Sequence, residues 1–473
     1  TIHTSMTGVA GASWGTDRFI YADGFNEKPL VRVRAQQGAV AELFTALDTL
    51  NGELDHLWPE VLPNGMGVLF TVTFSGKNTR TGKAPFSIAV ADTRTGKHRI
   101  ILDDAAYPRY AAAGKLLYLN SKGTLMLVPF DESSMKVTGA PTQLIEGMRL
   151  GRFGAADLAV SVDGTLVYSA GTEKYDEELV WRTREGKSFP VDPDWHGFFA
   201  TPSISPDGKK LAISKSADGR SGDIYIKQLD RGPAIQITHE GVYNFSPTWT
   251  PDGRSVTFAG NDAGGTFRLL TRRADGSGPT LVQFSEKRDL YYPDWSPDGK
   301  WVIFQSWNTG PDGGDLLGIR PGIDTAAITL VASKVEDSYG VVSPDGHWLA
   351  YTSNESGPFQ VYVVPFPNAG AAKWVVTSSG GTNPVWSHRG NELFYRGSSG
   401  DIFVVSVTTK PVFSFGQPKR LFAAPWEEFG FAEGYEVSPD DQRFLMIRKL
   451  NPALPEKLIV VENWFEELKA KAN

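Results

Sequence analysis

An all-β fold built from repeated four-stranded blades, a β-propeller, is predicted by three observations. A tight-turn phrase recurs along the chain, its strongest copies are evenly spaced, and short β-rich runs flank each of them. The clearest copy is Ser343-Pro344-Asp345-Gly346, followed by His347-Trp348-Leu349-Ala350-Tyr351. Proline presets φ, aspartate caps its own backbone and glycine accepts a positive φ. With Val341-Val342 before it, the unit reads as strand, tight turn, strand. The phrase returns at Ser205–Gly208, Thr250–Gly253 and Ser296–Gly299, which places Asp207, Asp252, Asp298 and Asp345 45, 46 and 47 residues apart. Degraded copies stand at 161–164, 387–390 and 438–441, and fainter ones at 14–17, 62–65 and 111–114.

Taken in order, the chain opens with a short β-capable piece in residues 1–9. Three blade-like units follow over about 10–50, 52–103 and 104–147, with strands such as Val68-Leu69-Phe70-Thr71-Val72 and Lys115-Leu116-Leu117-Tyr118-Leu119. Further units start near 152, 197, 242, 288, 335 and 380. Their strands alternate polar and apolar residues poorly, as expected when sheets pack on both faces. A tenth unit supplies only Tyr435-Glu436-Val437, Phe444-Leu445-Met446-Ile447 and Leu458-Ile459-Val460-Val461. The preferred reading is one continuous closed array of about ten blades, with 1–9 completing the last one so that no edge is left exposed. The alternative is two tandem rings with a boundary near 150–197, where the turn phrase weakens. Residues 463–473 read as a short amphipathic helix.

Composition narrows the function classes. The 473 residues are 41% hydrophobic and 12% aromatic, with 50 Gly and 30 Pro, which suits a turn-rich all-β chain with a large core. A net charge of −7 argues against nucleic acid as a partner, since that would ask for a basic face. The absence of cysteine excludes disulfides, thiol catalysis and thiolate metal sites. No apolar run reaches the length of about 18 residues that a membrane helix needs, so no membrane span is expected in this chain.

The repeats resemble the TolB-like, WD-repeat-like propellers that bacteria export, and the resemblance covers essentially the whole sequence. Several phrases are similar to the propeller C-terminal to membrane-anchored bacterial serine/threonine kinases of acidobacterial type. They are Gly11-Ala12-Ser13-Trp14-Gly15, His56-Leu57-Trp58-Pro59-Glu60, the stretch 343–357, Pro384-Val385-Trp386-Ser387 and Glu462-Asn463-Trp464-Phe465-Glu466-Glu467-Leu468. The resemblance implies a sensory or interaction module outside the cytoplasm, whether periplasmic, cell-surface or secreted. Relative to that pattern the chain carries no kinase domain and no preceding membrane helix, so no kinase activity is implied.

Among chemistry-bearing motifs, Gly11-Ala12-Ser13-Trp14-Gly15 matches a nucleophile elbow, but no helical pattern follows and the segment aligns with blade strands, so it is read as a strand. The seven His show no metal-ligand spacing, and no metal and no cofactor are expected. The functional lead is positional. In a propeller the inner strand of each blade lines the central channel. Counting back six places from each turn Asp or its equivalent gives Trp58, Tyr107, Asp157, Thr201, Ser246, Tyr292, Tyr339, Asn383 and Gly434. Two places on stand Glu60, Arg109, Ser203, Thr248, Asp294 and Glu436. Trp58, Glu60, Tyr107, Arg109, Tyr292, Asp294, Tyr339 and Glu436 are the candidate ligand-binding residues: aromatic faces, carboxylates and one guanidinium suited to a sugar, a peptide segment or another polar ligand.

Two functions are consistent with this pattern. The first is a non-catalytic extracytoplasmic propeller that binds a polar small molecule, a carbohydrate or a protein, or that self-associates through edge strands if the ring does not close. The second is a glycoside hydrolase or polysaccharide lyase whose site at the channel mouth uses a carboxyl pair such as Asp294 and Glu436.

Overall fold

The turn phrase folds as its chemistry dictates. In the computed structural model, Ser205 Oγ donates to Asp207 Oδ1 (2.6 Å) while that carboxylate oxygen accepts from Lys209 N (3.1 Å). Lys210 N returns to Ser205 Oγ at 2.9 Å, and Gly208 takes φ of +72°. The same bonds recur at Thr250/Asp252, Ser296/Asp298, Ser343/Asp345 and Ser438/Asp440. Each turn joins an inner strand to the next strand outward.

The structure describes residues 11–23, 29–74, 86–111, 114–148, 150, 154–161, 164–169, 177–216, 222–229, 232–241, 243–261, 266–307, 314–425, 434–450 and 458–464. These residues are nearly all β, in small antiparallel sheets mostly of four strands. In place of a single array, the chain forms two compact units: Thr1–Lys174 with Ala453–Asn473, and Tyr175–Pro452.

The second unit is a closed ring of six blades. Five run outward in chain order from the inner strands Phe198–Ile204, Tyr243–Trp249, Asp289–Trp295, Asp337–Val342 and Thr382–Trp386. The sixth is built from both ends of the unit. Tyr435–Val437 and Arg443–Lys449 form its inner half, and Glu177–Thr183 and Ser188–Pro190 its outer half. Glu177↔Lys449 through Thr183↔Arg443 set the register of that closing pair. Arg448 forms an ion pair with the buried Glu178 across it, and Arg184 Nη2 reaches Glu392 at 2.7 Å.

Six apolar clusters fill the six gaps between neighbouring blades. Trp249 and Phe258 pack with Ile224 and Ile226, Phe304 with Leu269, Tyr351 with Ile303, and Tyr395 with Ala350. Phe444 packs with Phe394, and Phe199 with Trp181 and Leu445, which returns to the start of the ring. A strand buried on both faces has no polar side to alternate with, which accounts for the weak alternation in the sequence.

In the first unit, three of the described sheets run over Ala12–Leu43, Glu53–Asp103 and Ala106–Ile145. A fourth joins Leu158–Val160 and Leu166–Ser169 to Leu458–Val461. Clusters around Tyr21 and Phe70, around Leu69 and Leu116, and around Leu127 and Leu166 pack each sheet on the next. Trp464 is buried in the last of these, and its backbone N–H donates to Gly164 O at 2.7 Å.

The strand pairing corrects the expected closure. The blade begun by Tyr435–Val437 is completed by residues 177–190, and Leu458–Val461 belongs to a different sheet. Every repeat offers equivalent strands, so the sequence period counts blades without saying which strands pair. Residues 1–9 and the helix expected beyond Trp464 lie outside the described residues. Ala12–Trp14 is an edge strand paired with Phe19–Ala22, so the Gly-x-Ser-x-Gly match is a blade strand and no elbow.

Candidate functional site

Every inner strand of the second unit's first five blades slips register once: between Ala200 and Ser203, Phe245 and Thr248, Tyr291 and Asp294, Ser338 and Val341, and Thr382 and Val385. At each slip one residue adopts the left-handed conformation: Thr201 (φ 49°), Ser246 (50°), Tyr292 (48°), Tyr339 (53°) and Asn383 (51°). Gly434 (71°) precedes the sixth inner strand in the same conformation. Proline follows four of them, at 202, 247, 293 and 384, where the bulge leaves no ladder hydrogen bond for a missing N–H to break. Each non-glycine residue so held costs about 1–3 kcal/mol, strain that the packed blades must over-determine. In this unit the positions found by counting back six from each turn are these same residues; Asp157, counted the same way in the first unit, is not left-handed.

The bulges turn side chains into one cavity of about 150 Å³, lined from all six blades. Tyr292 and Tyr339 stand with ring centroids 4.9 Å apart, backed by Tyr291 and Phe245. Thr201, Ser203, Ser246, Thr248 and Asn383 add polar groups. The blades are also laced here, Ser246 N donating to Thr201 Oγ1 at 3.0 Å. Ser246 Oγ and Tyr435 OH are buried without a hydrogen-bond partner.

Two carboxyl groups share this space. Burial pushes Asp294 up to about 7, against hydrogen bonds from the Val342 and Trp295 N–H groups and Thr248 that favour its charged form. Burial, together with the nearby Asp294, pushes Glu436 up to about 8. Tyr292 is driven well above the usual phenol range by its neighbour Tyr339 and by burial. Both carboxyls are thereby shifted toward their protonated forms, in which a carboxyl can donate as well as accept.

Trp58, Glu60, Tyr107 and Arg109 belong to the first unit and form their own constellation. Trp58 and Tyr107 are also left-handed, each with φ of 56°. Their rings lie 5.5 Å apart, and the Arg109 guanidinium sits 4.0 Å above Tyr107 while reaching Glu60 at 3.5 Å. Burial raises the Glu60 carboxyl, with Arg109 opposing. The eight candidates thus fall into two groups of four, one in each unit.

One cluster escaped sequence reasoning. Glu53, His56 and His98 gather in the first unit with their ligand-type atoms all within 4.8 Å of one another. Glu53 and His56 are three residues apart, which on a regular strand places them on opposite faces. A bulge between Glu53 and Asp55 cancels the offset: Glu53 faces Phe74 and His56 faces Val72 of the partner strand, two places apart. No signal in the sequence marks that bulge.

Residues 185–313 match the sequence profile of the TolB beta propeller domain family (PD40). The chain is 26% identical over 238 residues to an uncharacterized protein, Atu1656, of Agrobacterium fabrum, covering 48% of this chain and 75% of that one. It is 25% identical over 207 residues to the uncharacterized peptidase YuxL of Bacillus subtilis, covering 39% of this chain but only 27% of the peptidase. Among solved structures, a putative TolB from Agrobacterium tumefaciens aligns at 20% identity and a TM-score of 0.47, over 58% of this chain and 98% of that one. TolB from Acinetobacter baumannii aligns at 14% identity and a TM-score of 0.36, over 83% of this chain and 79% of that one. Among the described residues no helix is long and apolar enough to cross a membrane. The chain is a β-propeller protein, and its residues 185–313 are similar in sequence to the TolB beta propeller domain.

Proposed function

We propose that this protein is a non-catalytic propeller working outside the cytoplasm, and that the channel of its six-bladed unit binds a polar ligand: a small molecule, a sugar or a peptide segment. One observation carries the reading. The six inner strands converge five strained left-handed residues, two carboxyls whose charged forms burial disfavours, and unpartnered hydroxyls on a single cavity. Backbone strain concentrated in this way is characteristic of ligand clamps, and stacked tyrosines beside polar groups suit a ligand with both an apolar face and hydrogen-bonding edges. The extracytoplasmic location and sensory role rest on the resemblance to exported and kinase-linked propellers. The peptidase name of the Bacillus relative describes a protein of which this chain matches about a quarter.

The test is a thermal-shift and NMR screen of sugars, amino acids and short peptides against wild type, Tyr339→Ala and Glu436→Gln. Ligands that stabilise wild type and lose about tenfold or more in affinity in both variants support the channel site, a loss of roughly 1.4 kcal/mol. Ligands indifferent to both changes overturn it. Turnover of any hit by wild type, abolished in Glu436→Gln, overturns the non-catalytic assignment in favour of a hydrolase or lyase. Fractionation of the native host, with the protein found in the cytoplasm, overturns the location.

A further inference from the structure

The Glu53/His56/His98 cluster belongs to the first unit, its ligand-type atoms lie within 4.8 Å of one another, and both of its carboxylate–imidazole spacings match those of a metal site. Glu53 Oε2 stands 3.1 Å from His56 Nε2, and His98 Nε2 stands 3.2 Å from both Glu53 oxygens. A tetrahedral zinc-class ion, bound at about 2.0–2.2 Å by nitrogen and carboxylate oxygen, sets its ligands about 3.3 Å apart. The carboxylate is fixed by Asp48 N, which donates to Glu53 Oε2 at 2.8 Å. The other ring nitrogen of His56, Nδ1, lies 2.8 Å from Thr45 Oγ1, and that oxygen is itself held by Leu30 N at 2.9 Å. An oxygen behind the non-ligating nitrogen fixes ring orientation and tautomer in metal-bound histidines. Both rings are wedged against Phe70, with centroids 4.6 Å and 5.6 Å away. Glu53 and His56 are buried, whereas the His98 side chain keeps 13% of its surface exposed and gives an ion a route in from solvent.

We propose that Glu53, His56 and His98 bind a divalent transition-metal ion of the zinc class, through one carboxylate oxygen and the two Nε2 atoms. Two imidazoles and one carboxylate are a donor set that suits zinc over magnesium or calcium, which prefer all-oxygen sites. Three protein ligands leave a fourth position for water. The ion ties the start of strand Glu53–Val61 to the start of strand His98–Asp103, and through Thr45 and Asp48 to the segment leading out of the preceding sheet.

The tag-free full chain, stripped with a chelator and titrated with zinc chloride in a calorimeter, should bind one equivalent and melt at a higher temperature when loaded. Thr45→Val should weaken binding about 10- to 100-fold, the usual effect of losing an outer-shell partner, and His98→Ala should weaken it further. Binding that His98→Ala leaves unchanged, or no heat and no melting shift at tenfold excess of zinc, overturns the site. X-ray absorption of the zinc-loaded wild type needs no variant to fold. Imidazole nitrogens at about 2.0–2.1 Å are expected, and a spectrum without imidazole scattering overturns the assignment whatever the variants do.

Discussion

At the scale of single residues, the inner strands set a few side chains against local preference and many more in agreement with it. Trp249, Trp295 and Trp386 each stand immediately before a turn. Each sends its indole N–H to the preceding blade: to Ser203 O at 2.9 Å, Thr257 Oγ1 at 3.0 Å and Val341 O at 3.1 Å. The opposing cases are Asp294 and Glu436, held where their charged forms are disfavoured. The folded-state value of Glu436 lies above its ordinary 4.5, at about 8. Its contribution to stability is therefore complete below about 4.5 and is lost as pH rises toward 8. Glu436→Gln removes that loss. The variant should match wild type at pH 4.5 and melt about 3 °C or more above it at pH 8 by calorimetry. Equal differences at both pH values would show that Glu436 is an ordinary, ionised carboxylate.

At the scale of elements, the turn phrase and the strands around it were legible because their chemistry is local: serine, proline, aspartate and glycine act within a few residues of one another. The turns also meet across blades, for a methyl group placed on Gly208 would come 2.8 Å from Pro439 Cγ. The closing blade was not legible. Glu177–Thr183 finds Arg443–Lys449 across about 270 residues, and nothing in either strand distinguishes it from the strands of other blades. Its specificity lies in side chains such as Glu178, buried and paired with Arg448. Arg448→Ala leaves that carboxylate without its cation and should destabilise the six-bladed unit by about 3 kcal/mol, measured by urea unfolding. A change within 0.5 kcal/mol would mean that the register is set by the apolar partners alone.

At the scale of the molecule, the period of the repeat predicted the architecture but not its partition. The boundary at Lys174/Tyr175 falls inside the interval where the turn phrase weakens, and the fourth repeat is shared between the units: Leu158–Ser169 to one, Glu177–Pro190 to the other. The eight candidate residues were found by position along the inner strand, which is a local property. Their division into two groups follows from ring closure, which is not. Because all six gaps of the second unit are filled by its own side chains, residues 175–452 should fold when expressed alone. A single cooperative melt, with β-rich circular dichroism and the same channel-ligand binding as the full chain, is the expected outcome. An aggregated or molten product would show that the ring depends on the rest of the chain.

The interleaving of the units imposes a schedule on synthesis. Leu166–Ser169 leaves the ribosome about 290 residues before Leu458–Val461, its partner in the fourth sheet of the first unit. At ~5–20 residues per second that interval lasts roughly 15–60 s. Until it ends, one rim of Leu166–Ser169 offers unpaired N–H and C=O groups to any neighbouring chain. The six-bladed ring must be made in full within the same interval. Among the described strands, Leu458–Val461 thus emerges after the whole ring and completes a sheet whose other strands were made before it.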